Sequence, residues 1–229
     1  MKNFVLSILR WLLFSIVKPD IRGLEEIPAQ GPVILAGNHP NVLDGLVVGL
    51  ASPRPVRFLV AGELFRVPGL AAFLAWLGCI PVDRRQGRGN GDALRAAIEA
   101  LEQGHVLALF PEGKTNGGRT LLEFKPGVAL LGLRTGAPVI PLGLAGTEKA
   151  YPDGSFTIKP QGVGLVFGRP RRLENESVEQ ALQQVRGDIL GCSHQAEALT
   201  APGRCESVRA HLAVAASLVL TVSTRWAFH

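Results

Sequence analysis

Short apolar runs of strand length alternate with segments of helical periodicity along most of this 229-residue chain. Strand–helix alternation of that kind predicts an α/β fold with a mostly parallel or mixed central sheet flanked by helices. A second observation concerns division: no internal repeat and no linker long enough to separate domains interrupts the pattern, so one domain is expected. A third is size and composition. With 47% hydrophobic residues the chain can bury a large core, and its length suits one substantial domain.

The elements follow in order. Residues 4–17 are nearly all apolar, punctuated by Lys2, Arg10 and Lys18. The run is shorter than the roughly 20 apolar residues of a spanning helix, and Lys18-Pro19-Asp20 offers no cleavage site for a signal peptide. An interfacial helix fits best, with aromatic and aliphatic side chains in lipid and basic ones at head groups. The alternative is a helix packed on the domain's own core. Pro19 ends it. A short strand over 21–24 and a Pro- and Gly-rich turn over 25–32 lead to an apolar run, 33–36, that reads as a buried strand. A helix over 44–51 is broken by Ser52-Pro53-Arg54-Pro55. A strand over 56–60, an apolar helix-like stretch over 64–77 interrupted at Pro68-Gly69, and a strand over 79–82 follow. A polar loop (86–91) then offers Asn90 as a helix cap. Leu94, Ala97, Ile98 and Leu101 have the i, i+3, i+4, i+7 spacing of an amphipathic helix, stopped by Gly104.

Beyond it, strands are expected over 106–110 and 139–144 with a helix over 128–134 between them. A late hairpin is expected from 156–158 and 162–167, and a last helix over 177–190. The division expected is a membrane-associated helix (1–18), one folded domain (19–190) and a tail (191–229) with no assigned role. An apolar stretch over 211–228 in that tail would suit a second membrane-facing segment or an extension.

Charge narrows the partners. A net +5 suits an anionic partner: a membrane surface, a phosphorylated substrate or a nucleic acid. Nucleic acid is disfavoured, because aromatics are only 6% and no basic–aromatic interleaving or recognition helix is visible. The three cysteines, Cys79, Cys192 and Cys205, are far apart with no C-x-x-C spacing. They give neither a disulfide framework nor a zinc site, and a reducing compartment is expected.

Four polar clusters follow predicted strands: Asn38-His39 with Asp44, Asp83-Arg84-Arg85, Pro111-Glu112-Gly113, and a turn after Pro141. In a parallel sheet the carboxyl ends of the strands share one edge, where ligands bind. His39 and Asp44 are five residues apart, a spacing that brings a carboxylate against an imidazole nitrogen in a turn entering a helix. The carboxylate would fix the tautomer and leave the other nitrogen to take a proton from a hydroxyl. The same turn would also fit simple capping, with Asn38 or Asn41 bonding backbone. Arg84 is a planar fork suited to phosphate, and Arg85 or Lys125 could add charge; a solvated basic loop is the alternative. Glu112 beside Gly113 could orient a substrate hydroxyl or hold an arginine such as Arg84. No nucleophile stands out, since neither Ser52 nor Ser155 sits in a G-x-S-x-G elbow. A base acting on the substrate's own hydroxyl remains.

Asn38-His39-x4-Asp44 together with Phe110-Pro111-Glu112-Gly113 resembles the glycerolipid acyltransferases of the 1-acylglycerol-3-phosphate acyltransferase family. Gly78-Cys79-Ile80-Pro81-Val82-Asp83-Arg84 is similar to that family's second block, Phe124-Lys125-Pro126-Gly127 to the Phe-Lys-x-Gly after its third, and Val139-Ile140-Pro141-Leu142 to its fourth. The likeness covers about residues 20 to 170. It departs at Pro40-Asn41, at Pro81 and at Lys114-Thr115-Asn116.

The resemblance implies that residues 19–190 form an acyltransferase domain at the cytoplasmic face of a membrane. His39 would be the general base, held by Asp44. Arg84, Glu112, Gly113 and Lys125 would bind the acceptor, a lysophospholipid, with 1-acylglycerol-3-phosphate the one expected and phosphatidic acid the product. Acyl-CoA or acyl-carrier protein would be the donor, and neither metal nor organic cofactor is implied. Acylation of another lysolipid or polar lipid, and a non-catalytic lipid-binding protein, are the alternatives. A metal-dependent hydrolase is disfavoured by a single nearby histidine.

Overall fold

The computed structural model describes residues 2–83 and 91–200. Its centre is a seven-stranded mixed sheet in the order β1-β7-β6-β2-β5-β3-β4. The strands are β1 (Pro19–Arg22), β2 (Val33–Gly37), β3 (Val56–Ala61), β4 (Ile80–Val82), β5 (Val106–Leu109), β6 (Val139–Ala145) and β7 (Val163–Phe167). Strands β6, β2, β5, β3 and β4 run parallel; β7 is antiparallel to β6 and carries β1 parallel to itself. The helices are α1 (Lys2–Val17), α2 (Asp44–Ala51), α3 (Leu70–Leu77), α4 (Gly91–Glu102), α5 (Gly127–Thr135), α6 (Thr147–Ala150) and α7 (Val178–Leu199), with single 3-10 turns at Leu24–Glu26 and Gly62–Arg66.

The central strands are buried on both faces, which is why they read as unbroken apolar runs. Their side chains divide by the period of two. Val33 and Leu35 of β2 with Val106 and Ala108 of β5 meet α1 and α2 on one face. Ile34, Ala36, Leu107 and Leu109 meet α4, α5 and α7 on the other.

Three expectations are corrected. Residues 156–158 form no strand; β7 instead lies between β1 and β6, both of its edges already paired. Pro141 lies inside β6, not before a turn, and the chain turns only after Ala145. The last helix runs past Leu190 to Leu199. Its buried stripe continues as Ala181, Val185, Ile189, Cys192 and Ala196, and Gly191 falls on the exposed side. Small side chains at the far end hid that stripe. They suit a helix pressed directly on the sheet: a Cβ on Gly143 would stand 2.0 Å from the Cys192 carbonyl oxygen, and one on Gly164 2.2 Å from that of Ala196. The start of α7 carries a capping box, with Ser177 and Gln180 each accepting from the other's backbone N–H.

Helix α1 exists, but no helix among the described residues is long and apolar enough to cross a membrane. Its 16 residues span about 24 Å. Leu13, Phe14 and Val17 are buried in the domain core, so the helix is part of the fold. Asn90, the Arg84–Arg85 pair and the stretch 211–228 lie outside the described residues.

Candidate active site

The chain leaves β2 at Gly37, and each residue that follows is tied down. The Asn38 side chain donates to the Leu144 carbonyl and accepts from the Leu144 N–H, both at 2.8 Å. The amide thus extends the β2–β6 ladder by one rung, where the backbone has already begun to turn. The His39 N–H donates to Glu112 Oε1 at 2.9 Å. The His39 and Pro40 carbonyls accept from the N–H groups of Asn116 and Gly117 at 2.8 and 3.1 Å. Asn41 spends its amide on the Tyr151 carbonyl (2.7 Å) and the Leu43 N–H (3.0 Å).

This framework sets one pair of side chains. His39 Nδ1 stands 2.8 Å from Asp44 Oδ2. Asp44 opens α2 and is fully buried, while the His39 side chain keeps 15% of its surface. Asp44 Oδ2 also accepts the Asn41 N–H at 2.8 Å. With a carboxylate on Nδ1, the proton belongs on that nitrogen and Nε2 is left as a base. The imidazole also stacks on Phe110, ring centroids 4.0 Å apart and nearly parallel at 7°. Burial raises the Asp44 carboxyl above its ordinary range, opposed by the hydrogen bond and charge of His39 and by the Asn41 N–H; Asp44 Oδ1, like the Thr147 hydroxyl, is buried without a hydrogen bond. Thr147, at the start of α6, is itself fully buried.

Glu112 has another place than expected. It is 3% exposed. Besides the His39 N–H, its carboxylate accepts both contacts from Asn116 Nδ2 (3.0 Å each) and the Leu122 N–H at 2.8 Å. It is a hub holding the base-bearing turn to the loop after β5. Gly113 has φ +69°, and a Cβ there would stand 2.8 and 2.9 Å from Lys125 Cε and Nζ. The missing side chain makes room for the Lys125 stem, whose residue is exposed at the rim of the site. Arg186 supports that rim by donating to the Leu121 and Leu122 carbonyls and lying 5.1 Å over the Phe124 ring.

The structure therefore brings His39, Asp44, Glu112, Gly113 and Lys125 to one sheet edge. Arg84 lies outside the described residues; β4, which precedes it, ends at the same carboxyl edge. Asn116 and Thr147 were not anticipated. Asn116 stands four residues beyond Glu112, a local clue; Thr147 lies over a hundred residues beyond Asp44 and carries no sequence signal. Among the described residues no group of three or more His, Cys, Asp or Glu could hold a metal. Cys79 and Cys192 are buried and in no disulfide, and burial pushes the Cys192 thiol up to about 11.

An apolar cavity of about 420 Å³ begins one residue past Asp44. It lies between α1, α2 and α3, with Gly45, Leu46 and Gly49 on one wall and Leu9 and Leu13 on another.

The family model described as Acyltransferase matches residues 18–145, which hold β1 through β6 and the whole His39–Asp44 turn. The chain belongs to the acyltransferase family. Among its relatives is the chloroplastic 1-acyl-sn-glycerol-3-phosphate acyltransferase BAT2 of Brassica napus, 30% identical over 160 residues, 69% of this chain and 46% of that protein. The 1-acyl-sn-glycerol-3-phosphate acyltransferase of Borreliella burgdorferi is 32% identical over 135 residues, 59% of this chain and 54% of the relative. The chain thus spans about half the length of these relatives. The crystal structure of the 1-acyl-sn-glycerophosphate acyltransferase PlsC of Thermotoga maritima superposes with a TM-score of 0.71 at 26% identity, covering 87% of this chain and 81% of that one. As an acyltransferase-family domain, the chain shares with that structure an α/β architecture around a mixed sheet.

Proposed function

We propose that this protein is an O-acyltransferase that moves a fatty acyl group from a thioester donor to the hydroxyl of 1-acylglycerol-3-phosphate, giving phosphatidic acid. The observation that carries the reading is the 2.8 Å contact of His39 Nδ1 with the fully buried Asp44, at the edge of an apolar cavity. His39 Nε2 takes the proton of the acceptor hydroxyl as its oxygen attacks the thioester carbonyl. The C–S bond of the tetrahedral intermediate then breaks, and the imidazolium returns the proton to the leaving thiolate. Asp44 holds the tautomer and stabilises the imidazolium without itself taking the proton. No enzyme nucleophile is needed.

The cavity suits an acyl chain: about 420 Å³ lies within the range of small-molecule sites, roughly 300–1,000 Å³, and its walls are aliphatic. Lys125 at the rim and Arg84 beyond β4 supply positive charge for the acceptor phosphate, Glu112 and Gly113 acting by placing the turn and the lysine. The donor is acyl-CoA or acyl-carrier protein, with no metal or organic cofactor. Membrane association rests on α1; the cytoplasmic face is carried over from the family resemblance alone. Its inner side packs on the core while Phe4, Ile8 and Trp11, spaced one helical turn apart, stay 70%, 44% and 69% exposed. Such an apolar stripe suits a helix lying in the interface, while Arg10 stands off it, over the ring of the buried Phe14 at 5.5 Å.

A panel tests the substrate class. Purified protein with labelled acyl-CoA or acyl-carrier protein is offered lysophosphatidic acid, lysophosphatidylcholine and lysophosphatidylglycerol. Transfer to lysophosphatidic acid is expected to dominate, with the acceptor KM rising in Lys125→Ala and Arg84→Ala. Equal use of the zwitterionic lysophosphatidylcholine, with KM unmoved in both variants, would contradict the reading of a site for the phosphate monoester.

A further inference from the structure

One surface feature is unexplained by the site. Phe156 is 99% exposed, although the loop that carries it is well built. The Ser155 N–H donates to the Pro152 carbonyl at 2.9 Å, and Ser155 Oγ bonds both the carbonyl and the N–H of Thr157. The Lys159 N–H closes the loop on the Ala150 carbonyl at 2.7 Å. The base of the loop is held to the catalytic turn by Asn41 Nδ2 on the Tyr151 carbonyl, 2.7 Å. An ordered loop that leaves a phenyl ring wholly in water needs a reason.

The surroundings supply one. Ile158, two residues on, turns inward and lines the apolar cavity together with Leu12 and Leu46. Leu12 and Leu46 are themselves 47% and 41% exposed, and Val42, within the catalytic turn, is 64% exposed. Apolar side chains from α1, from the start of α2 and from this loop thus gather beside one cavity. Lys149 and Lys159, at either end of the loop, are exposed. An apolar rim with flanking lysines matches the surface of an anionic bilayer, the aromatic ring entering the acyl layer and the ammonium groups meeting head groups.

We propose that residues 151–159 form a second lipid-contacting element, separate in sequence from α1. Phe156 inserts into the bilayer beside the cavity, so that a lipid substrate passes from the membrane to the site without crossing water. The proposal shares with the function reading the premise of a membrane-borne substrate, and it is tested apart from it. The Asn41–Tyr151 bond fixes the loop against the turn that holds His39, so bilayer contact and catalytic geometry keep one register.

The test uses the full chain as wild type, Phe156→Ser and Trp11→Ser, with thermal melts to confirm folding. Sedimentation with vesicles of phosphatidylcholine containing phosphatidylglycerol measures binding. Phe156→Ser is expected to weaken binding by about tenfold or more, the scale of one buried aromatic side chain. It should slow transfer to vesicle-borne acceptor while leaving transfer to a dispersed short-chain acceptor unchanged. Wild-type binding by Phe156→Ser, with Trp11→Ser released, overturns the loop proposal and leaves α1 as the contact. Release of Phe156→Ser alone supports the loop and removes α1. Should Phe156→Ser instead only abolish self-association in gel filtration, the surface is a contact between copies and the proposal falls. Failure of wild type to bind vesicles overturns both.

Discussion

Asp44 is the residue on which the chemistry leans, and its burial has a thermodynamic sign. Desolvation disfavours the charged carboxylate, and the contacts from His39 and Asn41 oppose that only in part, so its pKa is raised in the folded state. A folded carboxyl that holds its proton more tightly than the unfolded one contributes stability that is full below the unfolded value, about 4. That contribution is lost as the pH rises through the folded value, and at neutral pH the charge is a cost. Relative to Asp44→Asn, wild type should therefore gain stability as the pH falls toward 4, which thermal melts of the pair across pH 4–8 measure. A gap that shrank on acidification would reverse the sign. The same substitution replaces the charged, acceptor-only carboxylate that fixes the His39 tautomer with a neutral amide that can also donate, and transfer should fall by about 10²-fold or more. The activity of wild type should fail on the acid side as Asp44 protonates, above the ordinary carboxylate range.

Glu112 marks where residue-level reading of the sequence stopped short. A carboxylate in a Gly-rich turn at a strand end reads as a ligand for substrate or arginine, and the resemblance gives it the acceptor. Its oxygens are instead occupied by the His39 and Leu122 N–H groups and the Asn116 amide. Asn116 and Leu122 lie four and ten residues from Glu112, but the His39 N–H reaches it across 73 residues, and nothing local encodes that last contact. The His39–Asp44 pair, by contrast, was legible because both partners lie within one turn.

At the scale of elements, α2 joins the two halves of the site. Its first residue orients the base, and the next turn, with Gly45 and Gly49 on one face, forms a wall of the cavity. A Cβ on Gly45 would meet only the Phe58 ring at 4.0 Å, so a side chain there projects into free space. Gly45→Val should shorten the acyl chains accepted, read as a shift in kcat/KM toward shorter donors, and leave the melting temperature within a few degrees. An unchanged chain-length profile would place the acyl chain elsewhere. Strands and helices with apolar periodicity were legible because burial on both faces writes itself into composition. The far half of α7 was not. Its packing on Gly143 and Gly164 demands small side chains, and Cys, Ser and Ala spell no amphipathic pattern. The loop over 156–158 was misjudged for the opposite reason: Phe156 and Ile158 look like strand residues, while one faces water and the other the cavity.

The whole molecule sets a doubly covered sheet between a face built from α1 and α2 and a face built from α4, α5 and α7. The carboxyl edge of its parallel strands carries His39 and Lys125, while the α1–α2 face carries the cavity. Because Leu13, Phe14 and Val17 belong to the core, removing α1 would disturb the fold as well as any membrane contact; point changes on its outer stripe separate the two. Helix α1, helix α2 and the loop with Ile158 line one cavity, and the proposed reaction uses them together: acyl chain in the cavity, head group at the rim, hydroxyl at His39. The central claim is that His39 is the base for that hydroxyl. It is tested most directly by the rate of acyl transfer from labelled donor to lysophosphatidic acid in His39→Ala beside wild type, both shown folded by their melts. A fall of at least about 10²-fold, the scale of a general base, is the expected result; transfer by His39→Ala at the wild-type rate would contradict it.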